Sequence, residues 1–254
     1  MAREDFDFSA CGGAGSRARR HDSAPSGGSP DALPALKRSL LYSEELAIDL
    51  NSGHERDYFR WFLASLLFGA RISGTIARNT YGAFLRHGLT TPRKIVDAGW
   101  DFLVNPVMRE GGYVRYDGRK SDQILRNCRA LLDDYDGRLL RLHASARDAR
   151  DLEARVLALH GVGPVTMNIF LRELRPFWRK ADPEPLGQVA ALAKQMGIDL
   201  AAYRRKSVTF ARIEAGLIRF SHMRGQKTSC QDGKALRGSG GRRAGRKSGG
   251  REHG

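Results

Sequence analysis

The chain has 254 residues, 41% of them hydrophobic, which is enough for one substantial core, and it carries a net charge of +15. No apolar run reaches the length of a membrane span, and the opening Met1-Ala2-Arg3-Glu4-Asp5-Phe6 has no apolar signal region. These features predict a protein without a membrane span, expected in the cytosol. Its three cysteines, Cys11, Cys128 and Cys230, are too few and too scattered for a disulfide framework or a zinc site.

The distribution of charge says more than its sum. Residues 1–30 are balanced, residues 224–254 carry +7, and residues 31–223 carry +8. A part that folds and stays basic without its tail has the charge a polyanion binder needs, although basic proteins exist that bind no polyanion.

In chain order, residues 1–33 are rich in Gly, Ser, Ala, Pro and Arg and lack periodicity, so they are expected to be a disordered lead-in. A short helical pattern follows from Ala35 to Leu50, broken by Asn51-Ser52-Gly53. Asp57 to Ile72 is apolar over a broad face and predicts a buried helix. Thr75 to His87 continues helical. Thr91 then reads as an N-cap with Pro92 at the first helical position, opening a helix to Ala98, with another from Trp100 to Met108.

Residues 110–120 form a polar, Gly-rich connection that contains Tyr113, Tyr116 and Lys120. Ser121 reads as the N-cap of an amphipathic helix running to Tyr135, with Cys128 on its apolar face. Residues 138–150 are expected to be irregular. Asp151 to His160 is helical and leads into Gly161-Val162-Gly163-Pro164. There two glycines permit a tight bend and Pro164 opens a second helix to Leu174. The free N–H groups at such a helix start favour a phosphate. Asp182-Pro183-Glu184-Pro185 reads as another helix start, with Asp182 at the cap and Glu184 in the first turn, continuing through Gly187 to Met196. A last helix is strongest from Val208 to His222. Residues 224–254 are Gly, Ser, Arg and Lys with almost nothing apolar, and are expected to be a disordered basic tail that adds phosphate contacts or has no role.

Leu159-His160-Gly161-Val162-Gly163-Pro164-Val165-Thr166, followed by Lys180-Ala181-Asp182, resembles the signature of the endonuclease III-like helix–hairpin–helix (HhH-GPD) DNA glycosylases. The resemblance runs from about residue 55 to 220. It implies an all-α, two-lobed helix–hairpin–helix fold with an interlobe cleft, spanning residues 34–223, with the hairpin at 151–174. It also implies a monomer that binds double-stranded DNA. Gly161, Val162, Gly163 and Thr166 would hold the backbone of one strand. Asp182 would stabilise positive charge on the sugar of a flipped-out nucleotide and position water, so that a damaged or mispaired base leaves. In the family a Gln often fills the gap left by that base. Here the matching stretch has Arg71, which either takes that role or is a surface arginine. Tyr113 or Tyr116 would stack on the flipped base or simply plug the lobe interface.

The family's lyase members carry a Lys where this chain has Val165, which implies hydrolysis without strand cleavage. Lys120 is a further candidate for the base pocket or the gap, and Lys120 and Lys180 are the amines that could substitute. The four-cysteine iron–sulfur site of many members is missing here, which implies a cluster-free branch with no metal and room only for a monovalent cation at the hairpin. Two other readings stay open: an inactive DNA-binding module, and a lyase that attacks abasic sites through an unconventional lysine.

Overall fold

The computed structural model describes residues 32–238, and no strand occurs among them: the fold is all-helical. The expected lead-in up to residue 31 and the end of the basic tail from 239 lie outside the described residues. The helices are α1 (Ala32–Lys37), α2 (Tyr42–Glu45), α3 (Glu55–Phe68), α4 (Gly74–Arg86), α5 (Pro92–Phe102), α6 (Asp117–Tyr135), α7 (Leu139–Ser145), α8 (Ala149–Leu157), α9 (Pro164–Leu174), α10 (Gly187–Gln195) and α11 (Val208–Gly238).

Two helices form the axis of the core. In α3 every residue from Asp57 to Leu67 is buried except Arg60, and in α9 every residue from Thr166 to Leu174 is buried. They pack on each other, with the indole N–H of Trp61 donating to the Phe170 carbonyl at 3.0 Å and the rings of Phe62 and Phe170 meeting edge to face. Around this axis α4 and α7 lie on α3, α5 runs along α6, and α11 packs against α1 and α10.

Local chemistry sets most of the boundaries. Thr91 caps α5, its hydroxyl accepting from the Lys94 N–H, with Pro92 next in the chain as expected. The helix from Pro92 stops at Ala98 as expected, because Gly99 has a non-helical backbone (φ 78°, ψ 175°) that divides α5; the next piece, expected to run from Trp100 to Met108, is itself interrupted. Asn105, which precedes Pro106, is extended and breaks the following turn. Ser121 is not a cap: α6 begins one turn earlier at Asp117, and Ser121 is buried inside it. The expected irregular stretch 138–150 contains α7, whose first amides, Leu139 and Leu140, donate to the Glu55 carboxylate at 2.5 and 3.0 Å. At the other end, α11 continues past the boundary expected at residue 224 to Gly238.

Candidate active site

Helices α8 and α9 are joined by a tight turn over residues 158–163. Gly161 is exposed and takes a positive φ of 67°, a backbone that L side chains rarely adopt. A methyl added there would lie 2.7 Å from Gln123 Nε2, so the Gln123 side chain would have to shift, and it is the positive φ that calls for glycine. Gly163 is the N-cap of α9 and Pro164 follows it, so the start of α9 faces outward with its first amides outside the helical ladder.

Two of the four residues expected to hold a strand are turned inward. Val162 is 6% exposed, and its N–H is already bonded to the Leu159 carbonyl. Its side chain is the apolar plug that keeps the turn on the core. Thr166 is also buried, and a methyl added at Gly69 would lie 2.0 Å from its hydroxyl. The Thr166 side chain therefore seals α9 against the end of α3. Gly161 and Gly163 remain open, as does Val165, which is half exposed at the rim.

Asp182 does not cap a helix. The chain from 181 to 186 is irregular, and α10 starts at Gly187. Asp182 and Glu184 each precede a proline, and a residue in that position disfavours helical backbone. The segment is instead strapped along α9. Asn168 Nδ2 donates to the Glu184 carbonyl at 2.7 Å, and the buried Arg175 guanidinium donates to the Pro183 carbonyl and pairs with Glu214 of α11. Arg175 Nε also lies 3.3 Å from Asp182 Oδ1. Arg205 adds a second cation to that same oxygen, donating from Nε at 3.0 Å, while its NH1 grips both oxygens of Glu184. Glu184 is thus the exposed partner of Arg205 rather than a first-turn charge. Glu153 of α8 faces this cluster. Desolvation raises its pKa above the ordinary carboxylate range, and the nearby charges of Glu184 and Asp182 push it further the same way.

The aromatic candidates separate cleanly. Tyr113 is 5% exposed and follows the Gly111–Gly112 turn into the core, where burial raises its phenol pKa, so it cannot stack on a base. Tyr116 is 63% exposed, immediately precedes α6 with a left-handed backbone, and carries the Arg115 guanidinium 5.2 Å above its ring. Arg71 is exposed in the bend between α3 and α4 and has no partner among the described residues.

The two lysines differ. Lys180 is tied up structurally: its ammonium donates to the carbonyls of His143 (2.9 Å), Ala144 (3.0 Å) and Ala146, closing the end of α7. Lys120 is largely buried beside the hairpin. It donates to the Leu66 carbonyl at 3.0 Å and to Gln123 Oε1 at 2.6 Å, and Gln123 is the residue packed on Gly161. Burial lowers the Lys120 pKa from 10.5 to about 8. Cys128 is buried in α6, and its thiol pKa is pushed up by desolvation, so it is inert packing.

A cavity of about 130 Å³ opens beside the hairpin. Val165, Ile169 and Arg172 of α9 form its floor, Tyr42 and Phe68 contribute aromatic walls, and Leu186 and Gln188 close the side reached by the chain after Asp182. Asp182 itself does not line it. Sequence reasoning missed this cavity and its one buried cation, Arg172. Spacing could have found part of it, because Val165, Ile169 and Arg172 recur at i, i+4 and i+7 and therefore share one helix face. Tyr42 could not be found that way, lying so far back in the chain. No group of His, Cys, Asp and Glu that could hold a metal ion occurs among the described residues.

Against known proteins, the chain matches no family model, no curated protein and no solved structure.

Proposed function

We propose that the protein is a DNA glycosylase of the helix–hairpin–helix type, with two lobes meeting at the hairpin and duplex DNA lying across the cleft between them. The observation that carries this reading is the juxtaposition of an open glycine turn, the exposed start of α9 and a small cavity whose rim begins at Val165, the second residue of that same helix. One phosphate of the strand sits on the amides of the turn, and the flipped base enters the cavity. The cavity is far below the roughly 300–1,000 Å³ of drug-sized sites, which suits one heterocycle rather than a whole nucleotide.

Asp182 is the carboxylate that opposes positive charge on the sugar as the base departs. Arg175 and Arg205 both contact Oδ1, which leaves Oδ2 outside those two contacts for the sugar. Arg175 is a buried anchor, whereas Arg205 is one-third exposed and within reach of a strand phosphate that would compete for it. Water is the nucleophile in this reading, since position 165 carries no amine.

Lys120 supports a second reading, a lyase. A largely buried amine that titrates near 8 and has no carboxylate on it is suited to attack the aldehyde of an abasic sugar.

One set of reactions tests both. Duplexes carrying uracil, hypoxanthine, an oxidised purine, an alkylated purine or an abasic site are incubated with the full chain and with Asp182→Asn and Lys120→Ala. Excision revealed only after alkali and abolished in Asp182→Asn is the expected result. A borohydride-trapped adduct that disappears in Lys120→Ala replaces it with the lyase. Binding with no product from any duplex leaves only a strand-gripping module.

A further inference from the structure

Arg172, one of the residues lining the cavity beside the hairpin, carries an unsatisfied donor. Arg172 is 3% exposed, and its Nε has no hydrogen-bond partner. The nearest acid is Glu173, 3.9 Å from Arg172 NH2, too far for a hydrogen bond. Both Glu173 oxygens are already committed, one accepting from the Tyr42 amide at 3.0 Å and the other from the Ser43 amide at 2.9 Å. The guanidinium lies 5.3 Å over the Tyr42 ring, which helps hold its plane in place. A buried guanidinium N–H left without an acceptor keeps the full cost of its desolvation. Such a group is completed by an ordered water, an ion or a ligand. Here the Arg172 side chain lines a cavity whose other walls are mainly aromatic and aliphatic, with Gln188 and His222 the further polar residues.

Arginine presents donors only, in a rigid planar fork. A ligand that completes it must offer acceptors; Tyr42 and Phe68 meet edge to face, 5.8 Å between ring centroids, and form one aromatic wall, so a small flat ligand would lie against that wall and Ile169. From these features we infer that Arg172 is a specificity-determining residue that selects, as the flipped base, a heterocycle with two adjacent acceptors on one edge, in the manner of the O6/N7 edge of hypoxanthine or guanine. A base with an amino group in place of one acceptor meets donor against donor and is rejected. This inference rests on the glycosylase reading for its biological setting, but the recognition chemistry can be read without DNA.

Hypoxanthine and adenine differ at this edge by one group, a carbonyl against an amine, and form the minimal pair. Binding of each free base to the full chain is measured by ligand-observed NMR titration, with Arg172→Met, Arg172→Lys and Val165→Trp as variants. Hypoxanthine is expected to bind about tenfold more tightly than adenine, the scale of one good bidentate base contact. Arg172→Met removes the preference, and Arg172→Lys keeps the charge but loses most of it, because the fork is gone. Val165→Trp blocks the exposed rim and abolishes binding of both bases with Arg172 untouched, which covers the case in which Arg172→Met does not fold.

Equal binding of the two bases, no binding of either, or a preference that survives Arg172→Met overturns the assignment. Duplexes carrying a single hypoxanthine keep the two ideas apart. A free-base preference with no excision from any duplex leaves Arg172's role standing and removes the glycosylase. Excision whose base preference is unmoved by Arg172→Met does the reverse.

Discussion

Arg205 and Asp182 are joined by a 3.0 Å hydrogen bond from Nε to Oδ1, and the same guanidinium also donates to the Asp182 and Pro183 carbonyls at 3.2 and 3.1 Å. Arg205 therefore positions the backbone of this segment as well as its charge. Its partners are a carboxylate, two carbonyls and Glu184, all within three consecutive residues.

Arg205→Ala is expected to lower the single-turnover excision rate about tenfold, because small displacements of a reacting group are costly. Stability should fall by only about 1 kcal/mol, since the guanidinium is partly exposed. Single-turnover kinetics beside a denaturant melt separates the two effects. An unchanged rate would remove Arg205 from the positioning of Asp182.

Lys120→Met should stabilise the protein at neutral pH by roughly 1–3 kcal/mol, allowing for the two hydrogen bonds it gives up. The amine titrates at about 8 when folded and at its ordinary 10.5 when unfolded. Below pH 8 both states hold the proton, and the folded state bears the full cost of a buried cation. Between 8 and 10.5 the unfolded chain alone keeps the proton, so wild-type stability climbs with pH. The advantage of the methionine variant should therefore be greatest below pH 8 and shrink toward pH 10.5. Urea melts at pH 7 and pH 10 check it, and a gap that does not narrow contradicts it.

Gly161→Ala is expected to cost about 1–2 kcal/mol, because it adds both left-handed strain and a clash with Gln123. Pairing it with Gln123→Ala should recover the clash but not the strain. Full recovery in the double variant would mean that φ at this position is not constrained.

Glu214→Ala should be the most damaging single change, at about 3–5 kcal/mol, since it leaves the fully buried Arg175 without its main counter-charge. Replacing both residues by Met and Leu should restore much of the loss, Arg175 being packed over the Phe210 ring in any case. Thermal melts of the three variants give the comparison. A double variant no better than Glu214→Ala would show that Arg175 is needed chiefly for its bond to the Pro183 carbonyl.

The fold was legible wherever a local rule decides the backbone. Thr91-Pro92, Gly163-Pro164 and the broad apolar face of α3 each produced the element their chemistry dictates. Prediction failed where tertiary partners overrule local rules. Asp182-Pro183-Glu184-Pro185 has the composition of a helix start, yet it stays irregular, tied down by Asn168, Arg175 and Arg205. Helix α7 was missed because its first amides are satisfied by Glu55, remote in the chain. In the proposed site, the tight turn at Gly161 and the start of α9 at Pro164 were readable from the sequence. The inward turn of Val162, Thr166 and Tyr113 was not, because a residue's type does not say which way a turn delivers it. Arg172 and Glu173 look like an ordinary charged pair in an apolar helix, and only the burial of the whole of α9 gives them weight.

The contact between Gly69 and Thr166 has a mechanical result. With no room for even one added carbon between them, α3 and α9 meet like two gears with a tooth engaged, and neither can slide without lifting the other. Arg71 stands two residues beyond that tooth, on the outer bend. The glycine turn before α9 and the Arg71 bend after α3 are thus held at a constant separation, as the jaws of a fixed gauge are, and the proposed function would use that spacing.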